Sequence, residues 1–269
     1  MSLSSLVLSS LLGSSYVNPT YFFQSLGSSG CGTSGPISCQ NTNAPINTCC
    51  YETPGLATTF PNQSQGLILQ TQVWDTDVAG SPTDSWTIHG LWPDNYIEKC
   101  DPSRDYTNIT GLLNSQGATS TLDYMQQYWL NDDGTDEEFW EHEWATHGTC
   151  YSTLNVDCLP SNSPVGAEAV AFFGTVVELF KTLPTYDWLA DAGITPSSSE
   201  TYTLSSLQSA LKAASGFTPA LGCSSHKLSS ISWYFNLKGS VIDGDFIPID
   251  TPKRSSCPSR GIKYLPKEG

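Results

Sequence analysis

Nine cysteines, at positions 31, 39, 49, 50, 100, 150, 158, 223 and 257, are spread irregularly through 269 residues. No other feature restricts the fold as much, because thiols at this density mark chains that mature in an oxidising compartment and are cross-linked there. A metal-binding reading is weaker: there is no CxxC pair, and the adjacent Cys49 and Cys50 are awkward as a chelate. Nine is odd, so at least one thiol stays unpaired or bonds another molecule. Secretion fits the rest of the chain as well. Charged residues make up only 14%, and the sequons at Asn62 and Asn108 are acceptors for glycans. Residues 1–26 read as a weak leader, apolar and Ser-rich but without a basic start or a clean cleavage site. No run of 18 apolar residues occurs, so no membrane span is expected. The expected location is extracellular, with a vacuole or lysosome-like compartment as the alternative.

Charge narrows the partners. The net charge is −15, and all eleven Lys and Arg lie from Lys99 onward. Electrostatic capture of a polyanion is therefore poor at neutral pH and improves as carboxylates protonate.

Periodicity supplies the elements. Residues 66–74 (GLILQTQVW) and 85–90 (SWTIHG) read as strands. Residues 123–130, 137–148, 167–183 and 204–214 read as helices, the third with Val170, Phe173, Val177 and Phe180 in one stripe. Residues 228–239 and 240–250 form a hairpin about a Gly-Ser turn. Strands early and late, helices between and no βαβ rhythm predict an α+β fold. It has a central antiparallel sheet with several helices, stapled by disulfides as a single domain over residues 27–269.

Three of the four histidines fall in two aromatic segments, WTIHGLWPDN (86–95) and EEFWEHEWATHGTC (137–150). Imidazole both gives and takes protons near neutral or mildly acidic pH. On a helix at 100° per residue, His142, Thr146, Glu143 and His147 share one face, with Trp140 and Trp144 at its edge as anchors. A zinc protease is disfavoured, since its histidines stand at i and i+4, whereas His142 and His147 are i and i+5. No G-x-S-x-G elbow is present either. Trp92 offers a stacking face for a base, and Asp94 an acceptor for an exocyclic amine.

These two segments resemble the active-site signatures of the ribonuclease T2 family, secreted or vacuolar acid endoribonucleases of α+β fold. The resemblance implies His147 as the base toward the ribose 2′-hydroxyl and His89 as the acid toward the 5′-oxygen. It also implies His142 as a phosphate ligand and Glu143 as the group that orients and tunes the pair. Trp92 and Asp94 would hold one base together with Tyr96, while Gln72 and Phe139 would line a second subsite. RNA carries its own nucleophile, so no cofactor or metal is called for. Single-stranded RNA is the expected partner of a monomer, cut with low base specificity, while DNA and membranes are not. The implied disulfides are Cys31–Cys50, Cys49–Cys158, Cys100–Cys150 and Cys223–Cys257, which leaves Cys39 as the free thiol. His226 matches nothing and reads as a surface residue.

The chain departs from the family at Thr146, where the second signature normally carries a lysine. Losing that charge is expected to cost on the order of 10²–10³ in rate, leaving protonated histidines as the main cations near the phosphate. Thr146 is the one feature that supports an alternative reading, a protein of reduced activity that binds RNA or protein or serves as a storage protein. Glu143 is expected to keep at least one histidine protonated.

Overall fold

The computed structural model describes residues 31, 35, 37–38, 47–52, 66–93 and 98–268. The expectations for the leader, Cys39, Asn62, Asp94 and Tyr96 fall outside them. Five strands of the described residues form one antiparallel sheet: β1 (Leu67–Val73), β2 (Thr87–Pro93), β3 (Ala220–Ser224), β4 (Lys227–Lys238) and β5 (Asp245–Ile249). The order is β2-β1-β4-β3, and β5 follows β3 along the same edge of β4. Among the described residues six α-helices accompany it: α1 (Ile109–Ser115), α2 (Thr119–Tyr128), α3 (Asp136–Thr146), α4 (Ala167–Lys181), α5 (Thr185–Asp191) and α6 (Leu204–Ser215).

The strands and long helices lie where periodicity places them. The short α1, α5 and β3 do not show in the sequence, because five to seven residues hold too few periods to register. The hairpin turn is longer than two residues, since Val241 and Ile242 turn inward and are buried between β4 and β5.

Helix α4 is the centre of the core. The stripe expected at Val170, Phe173, Val177 and Phe180 is buried, and so are Phe172, Val176 and Leu179 around the other side. A helix apolar all round is one enclosed on every side: α4 packs on β1 and β2 below, and on α2 and the turn Ser152–Leu154 beside it. Helix α3 is opened by a capping box, in which Thr135 accepts from the Glu138 amide and the Glu138 side chain accepts in return from the Thr135 amide.

All four expected disulfides are present: Cys31–Cys50, Cys49–Cys158, Cys100–Cys150 and Cys223–Cys257. The Cys49–Cys158 bridge has a companion that periodicity does not reveal. Glu52 is buried and accepts hydrogen bonds from the backbone and hydroxyls of Ser152 and Thr153. Burial pushes its carboxyl up to about 7 against those bonds. Disulfide and carboxyl together dock the early segment beside the turn that follows α3. His226 is exposed in the β3–β4 turn at φ 69°.

Candidate active site

The site forms where β2 meets the C-terminal end of α3. On β2 the pairing runs Thr71 to Gly90 and then Gln72 to Ile88, so His89 is an extra residue opposite no partner. Such a bulge re-aims side chains. Ile88 and Leu91 both enter the main core, while His89 is left half-exposed and Trp92 joins a small cluster with Leu67, Leu69 and Tyr234.

Helix α3 ends earlier than its pattern suggests, with His147 as the C-cap and Gly148 opening a 3-10 turn. A Cβ on Gly148 would lie 2.3 Å from Trp144, so the turn must pass the indole without a side chain. Trp140 and Trp144 anchor the helix as expected. Both are buried, donating to the carbonyls of Trp129 (2.9 Å) and Arg104 (2.6 Å).

Glu143 is 1% exposed, and its Oε2 accepts from Trp92 Nε1 at 2.7 Å. Its Oε1 lies 3.8 Å from His89 Nε2, close enough for charge but beyond a hydrogen bond. The Trp92 ring touches both imidazoles, His89 edge-on at 4.9 Å and His147 tilted at 5.1 Å between centroids. Phe139 also meets His89 edge-on, at 5.3 Å between centroids. His142 is exposed, 6.2 Å from the His147 ring. Thr146 is buried with Oγ1 3.4 Å from His142 Nδ1, which confirms that it shares their face. The structure thus brings together His89, Trp92, Phe139, His142, Glu143, Thr146 and His147.

Gln72 does not join them. It is fully buried on the helix side of the sheet and donates to the Leu183 carbonyl at 3.0 Å, so it cannot line a base subsite. Strand alternation explains the displacement, since Gln72 shares a face with Ile68.

The electrostatics also correct one expectation. Burial pushes Glu143 up to about 8, against its hydrogen bond from Trp92. Burial also pushes His89 down to about 4, with His142 adding to the effect and Asp132 opposing it. His147 falls to about 4 through burial and then through His142 and His89. The directions run against the expectation that Glu143 keeps a histidine protonated: burial raises the carboxyl and lowers both imidazoles, so each group is pushed toward its neutral form. Donor atoms of His142, Glu143 and His147 lie within 4.8 Å of one another, a spacing that would also admit a cation.

Gly90 is a site residue that motif reading misses. A Cβ there would fall 1.9 Å from Glu143 Oε2 and 2.6 Å from Trp92 Nε1. The available signal was a glycine inside a strand, which marks close approach of another group.

A profile described as the ribonuclease T2 family matches residues 34–244. The chain belongs to the ribonuclease T2 family. It is 61% identical over 246 residues to Ribonuclease Le2 of Lentinula edodes, covering 89% of this chain and 98% of that one. Ribonuclease T2 of Aspergillus oryzae is 47% identical over 238 residues, covering 87% and 82%. Among solved structures, Actibind, a T2 ribonuclease, superposes with a TM-score of 0.79 at 45% identity, over 89% of this chain and 98% of that one. In T2 terms, the first signature includes the bulged strand β2, and the second runs from the start of α3 through its C-cap His147 into the following turn.

Proposed function

We propose that this chain, an endoribonuclease by family, cuts single-stranded RNA by attack of the ribose 2′-oxygen on the adjoining phosphorus. The observation that carries this reading is the pair of imidazoles packed against one indole, whose Nε1 donates to a buried carboxyl. His147 takes the proton from the 2′-hydroxyl as the new O–P bond forms. His89 delivers a proton to the 5′-oxygen as its P–O bond breaks, leaving a 2′,3′-cyclic phosphate. Water then opens the ring with the two roles exchanged, giving a 3′-phosphate. Neutral Glu143 donates a hydrogen bond to a non-bridging oxygen, where charge accumulates in the transition state. His142 lies beside that oxygen, and Trp92 stacks a base. Catabolism of RNA outside the cell, by a glycosylated protein, is the setting that the cysteines and sequons support.

The pH dependence follows from the shifts. Free enzyme must hold a proton on His89 and none on His147, and both groups titrate at about 4. The product of those two populations peaks near pH 4 and falls on either side. A kcat/KM profile on RNA from pH 3 to 8, with and without chelator, tests this. A narrow bell centred at about 4, cyclic phosphate as the first product and indifference to chelator are expected. A maximum above neutrality, 5′-phosphate ends, or loss in chelator restored by zinc would overturn the mechanism.

Trp92 has two tasks. Trp92→Ala should weaken substrate binding by the roughly 1–3 kcal/mol of one base stack. It should lower kcat as well, because Glu143 loses its hydrogen bond from Nε1. Trp92→Phe should keep much of the stacking and lose the hydrogen bond, separating KM from kcat. Unfolding with unchanged affinity would show that Trp92 is only a core residue.

A further inference from the structure

We propose that Lys99 supplies the fixed positive charge of this active site by binding the phosphate at the scissile bond. The proposal rests on the ribonuclease reading for the identity of the ligand. Its placement rests on geometry.

Attack at phosphorus concentrates negative charge on the phosphate oxygens, and a fixed cation beside them is worth more than one that must be protonated first. Between Trp86 and Cys150 the sequence offers two such side chains, Lys99 and Arg104. Arg104 is spoken for. It is buried, with Nε on Asp101 Oδ2 at 2.8 Å and its other nitrogens on the carbonyls of Leu154 and Thr149 at 2.9 and 2.8 Å.

Lys99 is exposed, and no hydrogen bond or ion pair holds its ammonium among the described residues. Two tethers fix its backbone at the end of α3. Its amide donates to the Thr146 carbonyl at 2.9 Å, and the next residue is bridged to the following turn through Cys100–Cys150, with Cα atoms 5.0 Å apart. Thr146 directly precedes His147, and its hydroxyl lies 3.4 Å from His142. Lys99 is therefore held at the end of α3, next to the turn that begins at His147. At φ 54° Lys99 adopts a left-handed conformation that costs a non-glycine residue on the order of 1 kcal/mol. Strain of this kind is retained where neighbouring structure imposes it, often next to a working site. From this anchor a flexible four-carbon stem is long enough to bring the ammonium to a phosphate held between His142 and His147. The cation missing at Thr146 is thus supplied from a second segment, at the same helical turn.

A rival role exists. A lysine at a helix C-terminus also complements the helix dipole, and that role would show in stability alone. The test uses Lys99→Met and Lys99→Arg in the full chain. The substrate is a dinucleoside monophosphate, whose one phosphate is the scissile one. Inorganic phosphate serves as the probe for binding, measured by calorimetry. Lys99→Met should lower kcat/KM on the dinucleotide by roughly tenfold and weaken inorganic phosphate several-fold, and Lys99→Arg should recover most of both. On polymeric RNA the slope of log affinity against log salt should fall by about 0.7, the loss of one contact to a single strand. Unchanged kcat/KM on the dinucleotide with unchanged phosphate affinity would overturn the proposal, whatever happens to the melting temperature. So would a loss confined to polymer, which would place Lys99 on a distant phosphate. If the native protein failed to cut RNA at all, the ribonuclease reading would fall, and phosphate affinity would still decide the role of Lys99.

Discussion

Replacing His147 or His89 with alanine should lower kcat/KM on RNA by at least ~10², and by up to ~10⁴, with little change in fold. Both rings are partly exposed at the rim of the site and neither belongs to the hydrophobic core, so the loss should be chemical. The two variants should fail differently. Without His147 the rising limb of the pH profile disappears, because no base remains to be deprotonated. Without His89 the falling limb disappears. His147 should then titrate higher, since one of the charges pushing it down is gone. A substrate with an aryl oxide as leaving group needs little protonation, so it should rescue the His89 variant and not the His147 variant. Equal rescue of both would show that the acid and base have been assigned to the wrong rings.

Gly90→Ala should be nearly as damaging although it adds one methyl group. The added Cβ would sit 1.9 Å from Glu143 Oε2 and 2.9 Å from its Cδ, so the carboxyl has to move by an ångström or more. Displacement of a catalytic group by about 1 Å is enough to cost roughly 10² in rate. Gly90 does not have a positive φ, so alanine adds no backbone strain there. The injury should therefore stay local: kcat falls, the melting temperature moves by a few degrees at most, and the environment of Trp92 changes because its Nε1 lies 2.6 Å from the same Cβ position. Native kcat in Gly90→Ala would mean that the Glu143 carboxyl is not needed where it lies.

Much of this was legible along the chain because it depends on near neighbours. The periods of β1, α3, α4 and α6 and the grouping of His142, Glu143 and His147 on one helical face are consequences of spacing alone. Trp140 and Trp144 could be read as anchors because their angle on the helix was enough to turn them inward. The four disulfides came instead from the resemblance carried by two short motifs, since cysteine positions alone allow many pairings.

What spacing could not decide was depth and direction. Gln72 carries the same side chain wherever its strand faces, and only the packing of α4 on β1 buries it beneath Leu183. Glu143 next to histidines looks like a counter-ion on paper. The folded chain removes it from water, and desolvation pushes the carboxyl up while it pushes His89 down, so both lean toward their neutral forms. Gly90 and Lys99 lie 53 and 47 residues from the groups they meet, the Glu143 carboxyl and the Thr146 carbonyl, and no local pattern links them. The sequence by itself determined which residues could carry out acid–base chemistry on RNA. Their protonation states, and which neighbours could approach them, were decided by tertiary burial, because solvation and close contact are properties of the folded surroundings and not of the segment.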